Sequence, residues 1–79
     1  MANAYVENLH KILREALIKR YEGEIAAATA NIHVYLNQSV GIGEHPDIVS
    51  AIDQEVEKLA RAEEKLLVVK NHFVPERVV

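Results

Sequence analysis

The stretch Gly41-Ile42-Gly43-Glu44-His45-Pro46-Asp47 is the only strong punctuation in a chain of 79 residues. It decides what the rest can fold into. Gly41 suits the left-handed turn that ends a helix, and Gly43 permits a second unusual backbone angle. Pro46 suits the first position of a following helix, where a missing N–H costs nothing. Asp47 places negative charge at the positive end of that helix's dipole. Residues 38–46 therefore read as a turn between two long segments, and the expected fold is an all-α antiparallel helical hairpin.

Both flanks carry helical spacing. From about residue 2 to 38 there is no Pro and a single Gly, Gly23. Apolar side chains recur at Val6, Leu9, Leu13, Leu17, Tyr21, Ile25, Ala28, Ile32 and Leu36, in steps of three or four rather than two. Glu7/Lys11 and Glu15/Lys19 are four apart in the favourable order, each adding a few tenths of a kcal/mol (about 0.2–0.5). Gly23 costs about 1 kcal/mol relative to Ala in a helix interior, and it marks a bend or a close contact with another helix. The second helix is expected over about 46–73, with Ile52, Leu59, Leu66 and Phe73 seven apart and Val49 and Val56 interleaved. Pro75 ends it, leaving a short tail over 74–79 in one hairpin domain over 1–79.

Folding at the turn gives a register. If Leu36 faces Ile48, paired residue numbers sum to 84. Ile32 then meets Ile52, Ile25 meets Leu59, Ile18 meets Leu66, Tyr35 meets Val49 and Ala28 meets Val56. The expected hairpin core is thus Ile18, Ile25, Ile32, Leu36, Ile48, Ile52, Val56, Leu59, Leu66 and Phe73.

That core is thin. The first helix, about 54 Å long at 1.5 Å per residue, outruns the second at about 40 Å. The overhang carries Tyr5, Val6 and Leu9, and Ile12, Leu13, Ala16, Leu17 and Ile18 wrap around more than one face. A hairpin buries one stripe per helix, and one seam is poor compensation for ordering entropy of about 1.5 kcal/mol per residue. With no cysteine, disulfides cannot help. The expected remedy is self-association, as a homodimer or higher, most simply two hairpins forming a four-helix bundle. Val6, Leu9, Ile12, Leu13 and Leu17 are the expected interface, and the Ala26-Ala27-Ala28-Thr29-Ala30 run fits close helix approach.

Composition narrows the function. Nine Lys and Arg against twelve Asp and Glu give a formal charge of −3, which disfavours a nucleic-acid binder. No apolar run approaches the roughly 18 residues that cross a bilayer, and the N-terminus lacks the pattern of a secretion signal. The expectation is a cytoplasmic protein with no membrane association.

Candidate chemistry concentrates in the turn. Glu44, His45 and Asp47 are the metal or general-base candidates, but they are adjacent, and no further ligand is placed by spacing to complete a site. Helix capping explains them more simply. Gly41-Ile42-Gly43 has the start of a phosphate-cradling loop but lacks a third glycine, a lysine and a preceding strand. His10 and His72 approach each other at the open end, and two histidines alone make a weak metal site. His33 reads as a boundary residue. Arg14, Glu63 and Lys70 fall on seam positions, with Tyr21 opposite Glu63, where ionic groups fix register or line a small anion pocket. The all-helical chorismate mutases share the long first helix, but they need a third helix and inward basic residues. The expectation is no enzyme, no cofactor and no bound metal.

The segment Val34-Tyr35-Leu36-Asn37-Gln38-Ser39-Val40-Gly41-Ile42-Gly43-Glu44-His45-Pro46-Asp47-Ile48, continued by Ala51-Ile52-Asp53, resembles short uncharacterised proteins encoded by tailed phages of marine cyanobacteria and found in marine environmental DNA. In them a similar Val-Gly-Ile-Gly-Glu-His-Pro turn joins two long helices, and the Ala62-Glu63-Glu64-Lys65-Leu66 pattern also fits. The resemblance covers roughly residues 21–73, is specific at the turn and implies origin and fold without any activity. The expected function is a non-enzymatic oligomeric helical protein acting through protein–protein contacts, as a phage accessory, assembly or host-modulating factor. The alternatives are a nucleic-acid-associated regulator using Lys11, Arg14, Lys19 and Arg20, and a metal protein or enzyme using His45.

Overall fold

A computed structural model describes residues 4–38 and 47–74. It contains two helices, α1 over Ala4–Gln38 and α2 over Ile48–His72. They lie side by side in a molecule measuring 62 × 18 × 15 Å. The two shorter dimensions leave room for a single layer of two helices, each about 10 Å across. This is an all-α helical hairpin. The turn residues Gly41, Gly43 and Pro46 lie outside the described residues, as do Glu44, His45 and the tail from residue 75.

α2 begins on Asp47, which acts as the N-cap. Its carboxylate accepts from the Ser50 backbone N–H at 2.9 Å and from the Ser50 hydroxyl at 2.8 Å. These bonds satisfy one of the N–H groups that a helix start leaves open. The first helical residue is therefore Ile48, where the sequence pattern had placed Pro46. The helix closes with Phe73 N–H donating to the Val69 carbonyl at 3.1 Å. α1 runs through Gly23 without a break. A Cβ added there would meet nothing within 4 Å, so the close contact expected at this glycine is not with α2.

The α1 side of the seam repeats in steps of four and three: Arg14, Ile18, Tyr21, Ile25, Ala28, Ile32 and Tyr35. Ile18 and Ala28 are buried and the others half-buried. On α2 the Ile52, Leu59 and Leu66 row is half-buried as expected, but its companions are Ala51, Glu55, Ala62 and Val69, all buried. Val49 and Val56 instead lie outside, at 78% and 45% exposure. Two rows flank Ile52-Leu59-Leu66 at legitimate spacing, and burial chooses between them. The Val49/Val56 row would also bring in Glu63 and Lys70, two unpartnered charges. The other row brings in Ala62 and Val69 with one carboxylate, Glu55, that finds partners. Glu63 and Lys70 are accordingly exposed, and Tyr21 lies beneath Lys65, 5.7 Å from its ammonium.

Two other expected core residues are also on the outside. Leu36 is 62% exposed because the seam ends on Ile32 and Tyr35, one position away. Phe73 is 54% exposed because it is the C-cap, past the last helical turn. The cross-helix links Asn31–Glu55 and Tyr21–Lys65 join residues whose numbers sum to 86, two more than the expected register. α1 outruns α2 at the open end.

Candidate interaction surface

Midway along the seam two polar side chains meet across the helices. Asn31 Nδ2 donates to Glu55 Oε1 at 2.9 Å, and Lys58 Nζ reaches Glu55 Oε2 at 3.0 Å. The Asn31 bond, followed by Lys58, holds the Glu55 carboxyl below its ordinary value against the opposing effect of burial. Sequence reasoning missed this pair. Glu55 reads as one more surface charge until its spacing is noticed, three after Ile52 and four before Leu59. Beside the pair runs an open groove of about 550 Å³, floored by Ala28 and Ala62 and edged by Glu24, Lys58 and Arg61. Its charged edges are partly self-satisfied, since Arg61 pairs with Glu57 at 2.8 Å.

Toward the open end the chemistry turns apolar. A second groove of about 410 Å³ is lined by Leu9, Leu13, Leu17, Val69 and Phe73, with His10 and Arg14 at its edge. Arg14 is half-buried, and its Nε has no hydrogen-bond partner. The expected interface residues lie in this region. Leu9, Ile12, Leu13 and Leu17 are 42%, 60%, 56% and 39% exposed. Val6 belongs to α1, but its side chain is outside those described.

Of the remaining candidates, Glu44 and His45 lie outside the described residues. Asp47 is committed to Ser50, whose backbone N–H and then hydroxyl hold its carboxyl below 3.8. His10, His33 and His72 are exposed. Among the described residues no three His, Cys, Asp or Glu side chains are grouped to hold a metal ion. Of the basic residues, Lys11, Lys19 and Arg20 are exposed, and Arg20 lies 3.6 Å from Glu24. The anticipated Glu15/Lys19 pair is not formed; the ion pairs among the described residues are Arg20–Glu24, Lys58–Glu55 and Arg61–Glu57. No described helix is long and apolar enough to cross a membrane. Compared with known proteins, the chain matches no family model, no curated protein and no solved structure.

Proposed function

We propose that this chain is a non-enzymatic helical hairpin that self-associates and acts through protein–protein contacts. One observation carries the reading. Among the described residues no large side chain is fully buried, whereas twelve large apolar ones are exposed, four of them between Leu9 and Leu17 on α1. Scattered exposed apolar residues are ordinary, but Leu9, Leu13 and Leu17 line one groove with Val69 and Phe73, and a grouped apolar patch of this kind marks a contact surface. The resemblance of the turn to phage proteins of marine cyanobacteria supports a role as an accessory, assembly or host-modulating factor in the cytoplasm of an infected cell. The basic residues of α1 give weaker support to nucleic-acid binding, because acidic neighbours offset them.

The test is removal of residues 1–10, which takes away Leu9 and shortens the overhang without touching the seam. Self-association and partner capture should weaken while helicity per residue is retained. A truncated chain with unchanged mass and unchanged captured partners would sink the proposal.

A further inference from the structure

α2 carries more apolar surface than the seam covers. Ala62 and Val69 are buried, Leu59 and Leu66 half-buried, and Val49, Val56 and Leu67 exposed. Together they spread over about 160° of the helix circumference, where one seam needs a stripe of about 100°. The excess lies on one side only. On the other side α2 presents Gln54, Glu57, Arg61, Glu64 and Asn71, all exposed and polar, with Val68 the apolar exception.

The excess belongs to a stripe built in steps of four and three. Val49, Val56 and Leu67 are interspersed in it with Asp53, Ala60, Glu63 and Lys70, and all seven are exposed. None of them lines the Ala28/Ala62 groove or the Leu9–Leu17 groove. Asp53, Glu63 and Lys70 belong to none of the ion pairs among the described residues.

Resting on the self-association reading, we propose that this stripe is covered by α2 of a second copy running antiparallel, with the two-fold axis between Ala60 and Glu63. Paired numbers then sum to 123. Asp53 meets the partner's Lys70, Val56 meets the partner's Leu67, and Ala60 meets the partner's Glu63, over about 26 Å. Charge complementarity selects this alignment, because an Asp–Lys pair closes each end around the apolar rungs. Shifted to a sum of 119, the stripe would set Val49 on the partner's Lys70 and Val56 on the partner's Glu63. A parallel pairing in register would stack Asp53, Glu63 and Lys70 each on its own counterpart. The area agrees. The hairpin exposes 6495 Å², where a compact monomer of 8.9 kDa exposes about 4,800 Å². The difference exceeds the roughly 800 Å² that each partner contributes to a standard interface.

Asp53 and Lys70 stand about 26 Å apart along one helix, so neither can pair with the other within a chain. Dimer dissociation constants from sedimentation equilibrium at one fixed salt concentration test the pairing. Asp53→Lys and Lys70→Glu should each raise the constant at least about tenfold, since like charges then face each other. The double exchange should return it to within about threefold of the parent, with helix content unchanged throughout. Glu63→Gln should lower it, because the two Glu63 carboxylates flank the axis, about 4.5 Å apart in level. A dimer indifferent to both single exchanges, or one in which the double exchange adds their effects instead of cancelling them, overturns this arrangement and leaves self-association standing. A parent chain that stays monomeric at all concentrations overturns both.

Discussion

Replacing Glu55 and Asn31, singly and together, tests how this seam is held in register. Glu55 is 8% exposed and accepts from Asn31 at 2.9 Å and from Lys58 at 3.0 Å. The Lys58 side chain is 67% exposed, so that pair is worth at most a few tenths of a kcal/mol, about 0.3–0.5. The Asn31 bond is partly shielded and ends on a charge, a class worth about 1.5–3 kcal/mol. Water can reach the Asn31 side once Glu55 is gone, since Asn31 is itself exposed. The low end therefore applies. Glu55→Ala and Asn31→Ala should each destabilise, and a double-mutant cycle should return a coupling of about 1–1.5 kcal/mol. The assay is urea unfolding followed by circular dichroism at one fixed protein concentration, because self-association couples to stability. The coupling should also depend on pH. The folded carboxyl sits below its ordinary 4.5 because of Asn31 first and Lys58 second. Its contribution is fully present above the unfolded value and is lost as pH falls through the folded one. A coupling below about 0.3 kcal/mol at neutral pH, the usual additivity error, would refute the claim that this bond locks the register.

Two further predictions concern the seam and the cap. Ala62→Leu should destabilise by about 1–3 kcal/mol through overpacking, whereas Val56→Leu should fall within about 0.5 kcal/mol; equal effects in chemical denaturation would mean the wrong α2 row has been placed inside. Asp47→Ala should lower the melting temperature and Asp47→Asn should largely preserve it, since asparagine also caps. The Asp47 carboxyl is held below 3.8 by the Ser50 N–H and hydroxyl, so its stabilisation is present above that value and fades as pH falls through the folded one. An acid melting curve that is identical for the parent and Asp47→Ala would contradict the capping role.

The helices and one seam row were legible because they rest on local information. Gly41 and Gly43 interrupt the pattern, and Ile18, Ile25 and Ile32 repeat every seven residues, as do Ile52, Leu59 and Leu66 on the facing helix. The companion row on α2 was not legible by hydrophobicity. Val49 and Val56 look like core, and Glu55 does not. The choice depends on the whole row, on Ala62 and Val69 against Glu63 and Lys70, and on an asparagine 24 residues from Glu55 that makes its burial tolerable. Tyr21 shows the same limit: its neighbour Lys65 follows from the observed register, two residues from the one that apolar matching favours. The exposed aliphatics from Leu9 to Leu17 were readable early, because a lone hairpin has no second face to receive them.

The central claim is that the hairpin is half of a fold. Sedimentation equilibrium of the full chain at micromolar concentration tests it most directly. A mass of twice 8.9 kDa or a higher multiple is the result predicted. A folded, cooperatively melting species of 8.9 kDa at all concentrations would contradict it.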